Sequence, residues 1–164
     1  MDLENTLYLE LKDGRVVIQL FPEVAPNHVA RIKELARQGF YNNGCPFHRV
    51  IPGFMAQTGD AINKNGTEGS GKNLKAEFSG TRHVRGTCSM ARAQHPDSGD
   101  SQFFICFDNA PFLDTQYTVW GQVVSGMEFV DNIKKGSNLP GVNGAVDNPD
   151  VIVSLNVAAD VEKV

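Results

Sequence analysis

Two side chains able to do chemistry stand inside an otherwise apolar stretch. The run Phe47-His48-Arg49-Val50-Ile51-Pro52-Gly53-Phe54-Met55-Ala56-Gln57 carries one permanently charged group, Arg49, and one neutral amide, Gln57. A guanidinium among Phe, Ile and Met is costly to bury unless a polar group meets it. The mixture is that of a binding groove with apolar walls and a few fixed donors. Such a groove would work by shape and hydrogen bonding, without a nucleophile or a metal. A second reading keeps Arg49 on the surface, its stem lying over apolar neighbours.

Downstream, Ser101-Gln102-Phe103-Phe104-Ile105-Cys106-Phe107 reads as a strand that is apolar on both faces. Phe103, Ile105 and Phe107 share one face, and Gln102, Phe104 and Cys106 the other. One face is core. The other is either covered by a helix or lines a groove.

Other reactive groups form no pattern. Ser89, Ser98 and Ser101 lie near His83 and His95 in sequence, but no G-x-S-x-G elbow is present. His28, His48, His83 and His95 match no metal-ligand spacing. Gly66, Gly69 and Gly71 do not follow a strand with phosphate-loop spacing. Asn65-Gly66-Thr67 reads as a turn, not a glycosylation acceptor. No cofactor and no metal are expected.

The elements that must position these groups are mostly strands. Leu7 to Leu20 reads as a β-hairpin turning at Asp13-Gly14. A helix is expected after Ala25-Pro26-Asn27, running to about Gln38, where Val29, Ile32, Leu35 and Ala36 share a face and Gly39 stops it. A second helix is expected over Met127–Lys135, stopped by Gly136. Strands are expected at 47–51, 54–58, 87–91, 101–107, 117–124 and 151–157. The order favours an antiparallel sheet or barrel over repeated βαβ units. Gly59 to Gly86 reads as a long loop region, and loops of that length are usually functional or mobile.

The chain has 164 residues, enough for one domain, with 41% hydrophobic and 21% charged residues. Its net charge of −4 argues against general affinity for nucleic acid or anionic membrane. The start, Met1-Asp2-Leu3-Glu4-Asn5, is acidic and lacks a signal-peptide core. No apolar run reaches the length of a membrane span. Cys45, Cys88 and Cys106 are odd in number and form no CxxC pair, so structural thiols in a reducing compartment are expected. A cytoplasmic location follows as the expectation.

Taken together, FHRVIPGFMAQTGD, SMARA, SQFFICF and FLDTQYTVWG resemble the cyclophilin family of peptidyl-prolyl cis-trans isomerases, with the closest similarity to compact bacterial single-domain members. The resemblance spans nearly the whole chain. It implies a single domain over 1–164, mainly β, an eight-stranded antiparallel closed barrel capped by two α-helices. It implies Arg49, Gln57 and Phe54 as catalytic residues, and His48, Met55, Ala91, Arg92, Phe104, Phe112, Leu113 and Tyr117 as substrate-binding residues. The implied partners are proline-containing peptides and unfolded proteins, bound by a monomer. Three positions depart from the best-known eukaryotic pattern. Phe112 replaces a Trp, Tyr117 a His and Arg92 an Asn. The first change removes an indole N–H that helps hold cyclosporin in the family, so weakened cyclosporin affinity is expected. A binding module that captures proline segments, with catalysis incidental, is the alternative reading.

Overall fold

The computed structural model describes residues 2–137, 139 and 142–162, so the domain limits expected at 1 and 164 lie outside the described residues. Alternation builds the first hairpin. In β1 (Thr6–Leu11) and β2 (Gly14–Leu20), Leu7, Leu9, Leu11, Val16, Ile18 and Leu20 turn inward and are buried. Leu9 pairs with Val16, and Leu11 with Gly14. The helix α1 (Pro26–Arg37) buries the expected Val29, Ile32, Leu35 and Ala36, and His28 as well. Ala25 offers its N-terminus no side-chain cap. The cap comes from Glu77, whose carboxylate accepts from the backbone N–H of Asn27 (3.2 Å) and His28 (2.8 Å).

Six further strands follow: β3 (Arg49–Ile51), β4 (Met55–Thr58), β5 (Thr87–Met90), β6 (Phe103–Cys106), β7 (Val119–Ser125) and β8 (Ser154–Val157). Every strand pair is antiparallel, in the order β3-β4-β6-β5-β7-β2-β1-β8. The expected closed barrel is corrected to a curled half-barrel, with β3 and β8 as its edges. Among the described residues, the edges approach only through an isolated bridge between Pro46 and Val151, flanked by Phe47 N–H to Asp150 O (2.9 Å) and Ile152 N–H to Cys45 O (2.8 Å). Pro46 itself turns its carbonyl to β4, where it accepts from Thr58 Oγ1 at 2.8 Å.

The helices also differ from expectation. The second, α2, spans only Met127–Asp131. Beyond it, Asp150 Oδ2 takes the N–H of Lys134 at 2.7 Å, and Lys135 Nζ donates to the carbonyls of Asp131 and Ile133. The segment is thereby tied to its neighbours instead of to another helical turn. A third helix, α3 (Ala158–Val161), was not expected from the sequence.

β6 resolves its own ambiguity. Phe103 and Ile105 enter the main core, where Phe103 meets Trp120 edge-on at 5.3 Å and Tyr41 at 5.8 Å. Phe104 and Cys106 face the other way, into a smaller cluster with Met55, Ala110 and Leu113. Among the described residues no α-helix covers that cluster; it is the floor of a groove. The segment from Gly59 to Gly86 is indeed a loop region, and it is pinned by carboxylates. Buried Asp60 accepts from the N–H groups of Ile62, Asn63, Asn65, Gly66, Thr67 and Glu68 at 2.8–3.3 Å. Asp100 accepts from Ser70 Oγ, from the N–H of Gly71 and Lys72, and from Arg31 Nη1.

Candidate active site

Register brings the two polar residues together. Arg49 on β3 pairs with Gln57 on β4, and Gln57 with Phe104 on β6. Arg49 Nη1 donates to Gln57 Oε1 at 3.2 Å, and Arg49 Nε to the carbonyl of Asn143 at 3.0 Å. The third contact, Nη2 to Asn143 Oδ1, is longer at 3.5 Å. Gly144 makes this approach possible: its φ is +84°, and a Cβ there would lie 2.5 Å from Ile51 Cγ1 and 3.3 Å from Arg49 Cγ.

The amide of Gln57 is oriented by a relay that starts in the pinned loop. Gln102 Nε2 donates to the carbonyls of Gly66 (2.9 Å) and Glu68 (3.2 Å). Those oxygens only accept, so Gln102 turns its own Oε1 to Gln57 Nε2, at 3.2 Å. Gln57 then has only its oxygen to offer Arg49. Gly59 lets the strands close on this relay, because a Cβ there would strike the Ser101 carbonyl and Gln102 Cα.

Around these donors lies a groove of about 580 Å³ lined by Arg49, Phe54, Met55, Gln57, Ala91, Arg92, Phe104, Phe112, Leu113, Gln116 and Tyr117. Ten of the eleven expected residues are thus brought together. Met55, Phe104 and Leu113 are buried in its floor, while Phe112 is 68% exposed at the rim, 5.4 Å from Phe54 between ring centroids. Phe112 and Leu113 ride on a single 3-10 turn, Pro111–Leu113, opened by proline. Arg92 lies over Tyr117 at 4.7 Å and donates to the carbonyls of Ala93, Gln94 and Gln116. It braces two loops against each other. Burial pushes the Cys106 thiol beneath the groove up to about 12, so it stays protonated.

His48 is the exception. It does not line the groove. Its Nε2 lies 2.5 Å from where a Cβ on Gly66 would stand, so it supports the loop from behind. Burial lowers its pKa. The structure does join Ser89, His83 and Asp114, with Ser89 Oγ 2.9 Å from His83 Nε2 and Asp114 Oδ1 3.0 Å from His83 Nδ1. Ser89 and His83 are buried at 0% and 1% exposure, so no substrate carbonyl can reach that hydroxyl. Three contributors were missed from sequence. Gln102 shares a strand face with Phe104, a signal that was present. Asn143 and Gln116 sit in loops with no local pattern.

A model of the family described as cyclophilin type peptidyl-prolyl cis-trans isomerase/CLD matches residues 6–157. The chain belongs to this family. It is similar to a probable peptidyl-prolyl cis-trans isomerase of Brucella suis, 56% identical over 170 aligned positions, covering 97% of this chain and 85% of that protein. It is also similar to peptidyl-prolyl cis-trans isomerase B of Bacillus subtilis, 45% identical over 135 positions, covering 80% of this chain and 92% of that one. Among solved structures, the cyclophilin AquaCyp293 of Hirschia baltica superposes with a TM-score of 0.84 at 30% identity, over 98% of this chain and 76% of that one. A Cryptosporidium parvum cyclophilin type isomerase, solved in the presence of the dipeptide Ala-Pro, gives 0.79 at 23% identity, over 93% and 98%, a likeness of fold. The cyclophilin reading of the sequence stands, and the activity is peptidyl-prolyl cis-trans isomerisation. Among the described residues, no helix is long and apolar enough to cross a membrane.

Proposed function

We propose that Arg49 catalyses rotation about X-Pro bonds held in the 580 Å³ groove, in unfolded chains or exposed segments. The barrier to that rotation is roughly 18–20 kcal/mol, set by amide resonance. Uncatalysed exchange takes tens of seconds or longer. No covalent bond need break. As the amide twists, its nitrogen becomes pyramidal and regains a lone pair, which the planar amide lacks as an acceptor. A donor aimed at that nitrogen, directly or through a neighbouring carbonyl, therefore favours the transition state over the ground state.

The observation that carries this reading is the accounting of the Arg49 guanidinium. Of its five N–H groups, Asn143 and Gln57 hold three. Among the described residues, one on Nη1 and one on Nη2 are left for a substrate. Phe54, Met55, Phe104 and Leu113 form the apolar seat for the proline ring. Gln57, Arg92 and the adjoining depression of about 380 Å³ lie where the preceding residues would be gripped. Going from tens of seconds to milliseconds is about 10⁴-fold, or roughly 5–6 kcal/mol. One charged donor in an apolar groove, plus positioning, supplies a sum of that order.

The proposal extends to binding partners and setting. The Cryptosporidium parvum relative solved with Ala-Pro supports short proline peptides as ligands. Cyclosporin binds weakly, because Phe112 has no N–H to donate. The enzyme works as a monomer in the cytoplasm, where its three buried free thiols suit a reducing environment. Cell fractionation that found it elsewhere would oppose that assignment. NMR exchange spectroscopy on a short X-Pro peptide tests the function itself. Substoichiometric protein is expected to create cis–trans exchange cross-peaks. Broadening without exchange would mean a module that only binds.

A further inference from the structure

One buried cluster beside the groove is not used by the chemistry above. His83 stacks under Phe104, with ring centroids 6.1 Å apart and planes 16° from parallel, and meets Tyr117 edge-on at 6.5 Å. Its backbone N–H donates to Asp114 Oδ1 at 2.7 Å, and its carbonyl accepts from Ala110 N–H at 2.9 Å. The 3-10 turn carrying Phe112 and Leu113 thus hangs from this one residue. Through Nε2 the ring also reaches Ser89 on β5.

Proton counting fixes the form of the ring. An ionised Asp114 only accepts, so Nδ1 carries the proton. Ser89 has a single hydroxyl proton, and its Oγ lies between His83 Nε2 (2.9 Å) and the carbonyl of Thr118 (3.0 Å). That carbonyl already accepts from Met90 N–H at 2.9 Å. With a neutral ring, Ser89 donates to Nε2 and ties β5 to the groove wall. With a charged ring, Nε2 donates instead and the hydroxyl turns to Thr118. We propose that His83 is a positioning residue for the isomerase, that it sets the Phe104–Leu113–Tyr117 wall, and that the neutral ring is the form that holds this wall. The proposal rests on that groove being the isomerase site.

Burial pushes the His83 pKa down, against the opposing pull of Asp114. The ionisable groups packed around it are Asp114, Arg82 beside that carboxylate, Cys106 and Tyr117. The backbone N–H of His83 holds the Asp114 carboxyl low and burial pushes the Cys106 thiol up to about 12, so neither titrates between pH 5 and 7.

The test compares kcat and KM against pH for an X-Pro peptide. In the wild type, kcat/KM is expected to fall along one acid limb, with a midpoint below the ordinary imidazole value of about 6.5. His83→Gln keeps a donor and an acceptor but does not titrate. It should stay within about twofold of wild type at pH 7.5 and lose the limb. His83→Phe keeps the stacking but neither hydrogen bond, and should raise KM about tenfold with little change in kcat. His28, His48 and His95 remain in both variants, so a limb that survives belongs to one of them and overturns the proposal. Wild-type KM in His83→Phe would overturn it too, and Arg49→Ala separates that outcome from failure of the site itself. Should His83→Phe not fold, the ¹⁵N shifts of the wild-type ring decide. A proton on Nδ1 alone at pH 7.5 is expected; a proton on Nε2 contradicts the proposal.

Discussion

Five N–H groups surround the guanidinium carbon of Arg49, and the two left free among the described residues matter more than the three that are tied. The ties come from Asn143 and Gln57, and they fix the fork in one orientation before a substrate arrives. An ammonium in the same place would have neither the planar fork nor the second anchor. Arg49 and Gln57 were legible in sequence because they are polar residues in an apolar run. Asn143 was not, because it is 94 residues from Arg49 and its contribution is mostly a backbone carbonyl. His48 stands next to Arg49 but outside the groove, because an extended chain sends neighbours to opposite faces. At the groove rim, Phe112 is exposed and has no donor. Phe112→Trp should tighten cyclosporin by about 1 kcal/mol, roughly fivefold, the worth of one hydrogen bond. Titration calorimetry would read this, and unchanged affinity would remove the donor explanation.

At the scale of elements, the strands were readable where alternation had one buried face. β1 and β2 follow that rule residue by residue. The second helix was overread because Met127, Val130 and Ile133 keep helical spacing after the backbone has left the helix. The four residues of α3 are too few to show any period. The long loop was readable as a loop but not as a built part of the site. Its rigidity comes from Asp60, a buried carboxylate collecting backbone N–H groups. Burial alone would raise its pKa, but the N–H groups of Asn63, Lys64, Asn65 and Glu68 outweigh that and hold it low. Asp60→Asn puts an NH₂ against those donors. A loss of about 2–3 kcal/mol in urea unfolding is expected, from the charge-assisted bonds given up. Activity should fall as well, since Gly66 and Glu68 orient Gln102 and, through it, Gln57. Unchanged stability would show the loop to be held by something else.

Across the whole molecule, the sheet stays open because its edges, among the described residues, meet at an isolated bridge instead of a ladder, a fact of tertiary placement that strand counting does not reveal. Stability against pH is also a property of the whole. Burial lowers the pKa of His28, His48 and His83. Below about 6.5 the unfolded chain takes protons that these sites refuse, so unfolding binds protons and stability falls as pH falls. Asp114 and Asp150 are held low and stay ionised through that range. The urea midpoint should therefore be lower at pH 5 than at pH 7.5, and an equal or higher midpoint would refute the burial argument. The central claim is that this half-barrel exists to present one tethered guanidinium to a twisting X-Pro bond. Exchange spectroscopy on an X-Pro peptide with Arg49→Ala and Arg49→Lys, with peptide affinity measured alongside, tests it most directly. A folded protein, peptide affinity within a few-fold of wild type, and exchange slowed at least a hundredfold are expected in Arg49→Ala, with Arg49→Lys little better. Exchange near the wild-type rate in Arg49→Ala would contradict it.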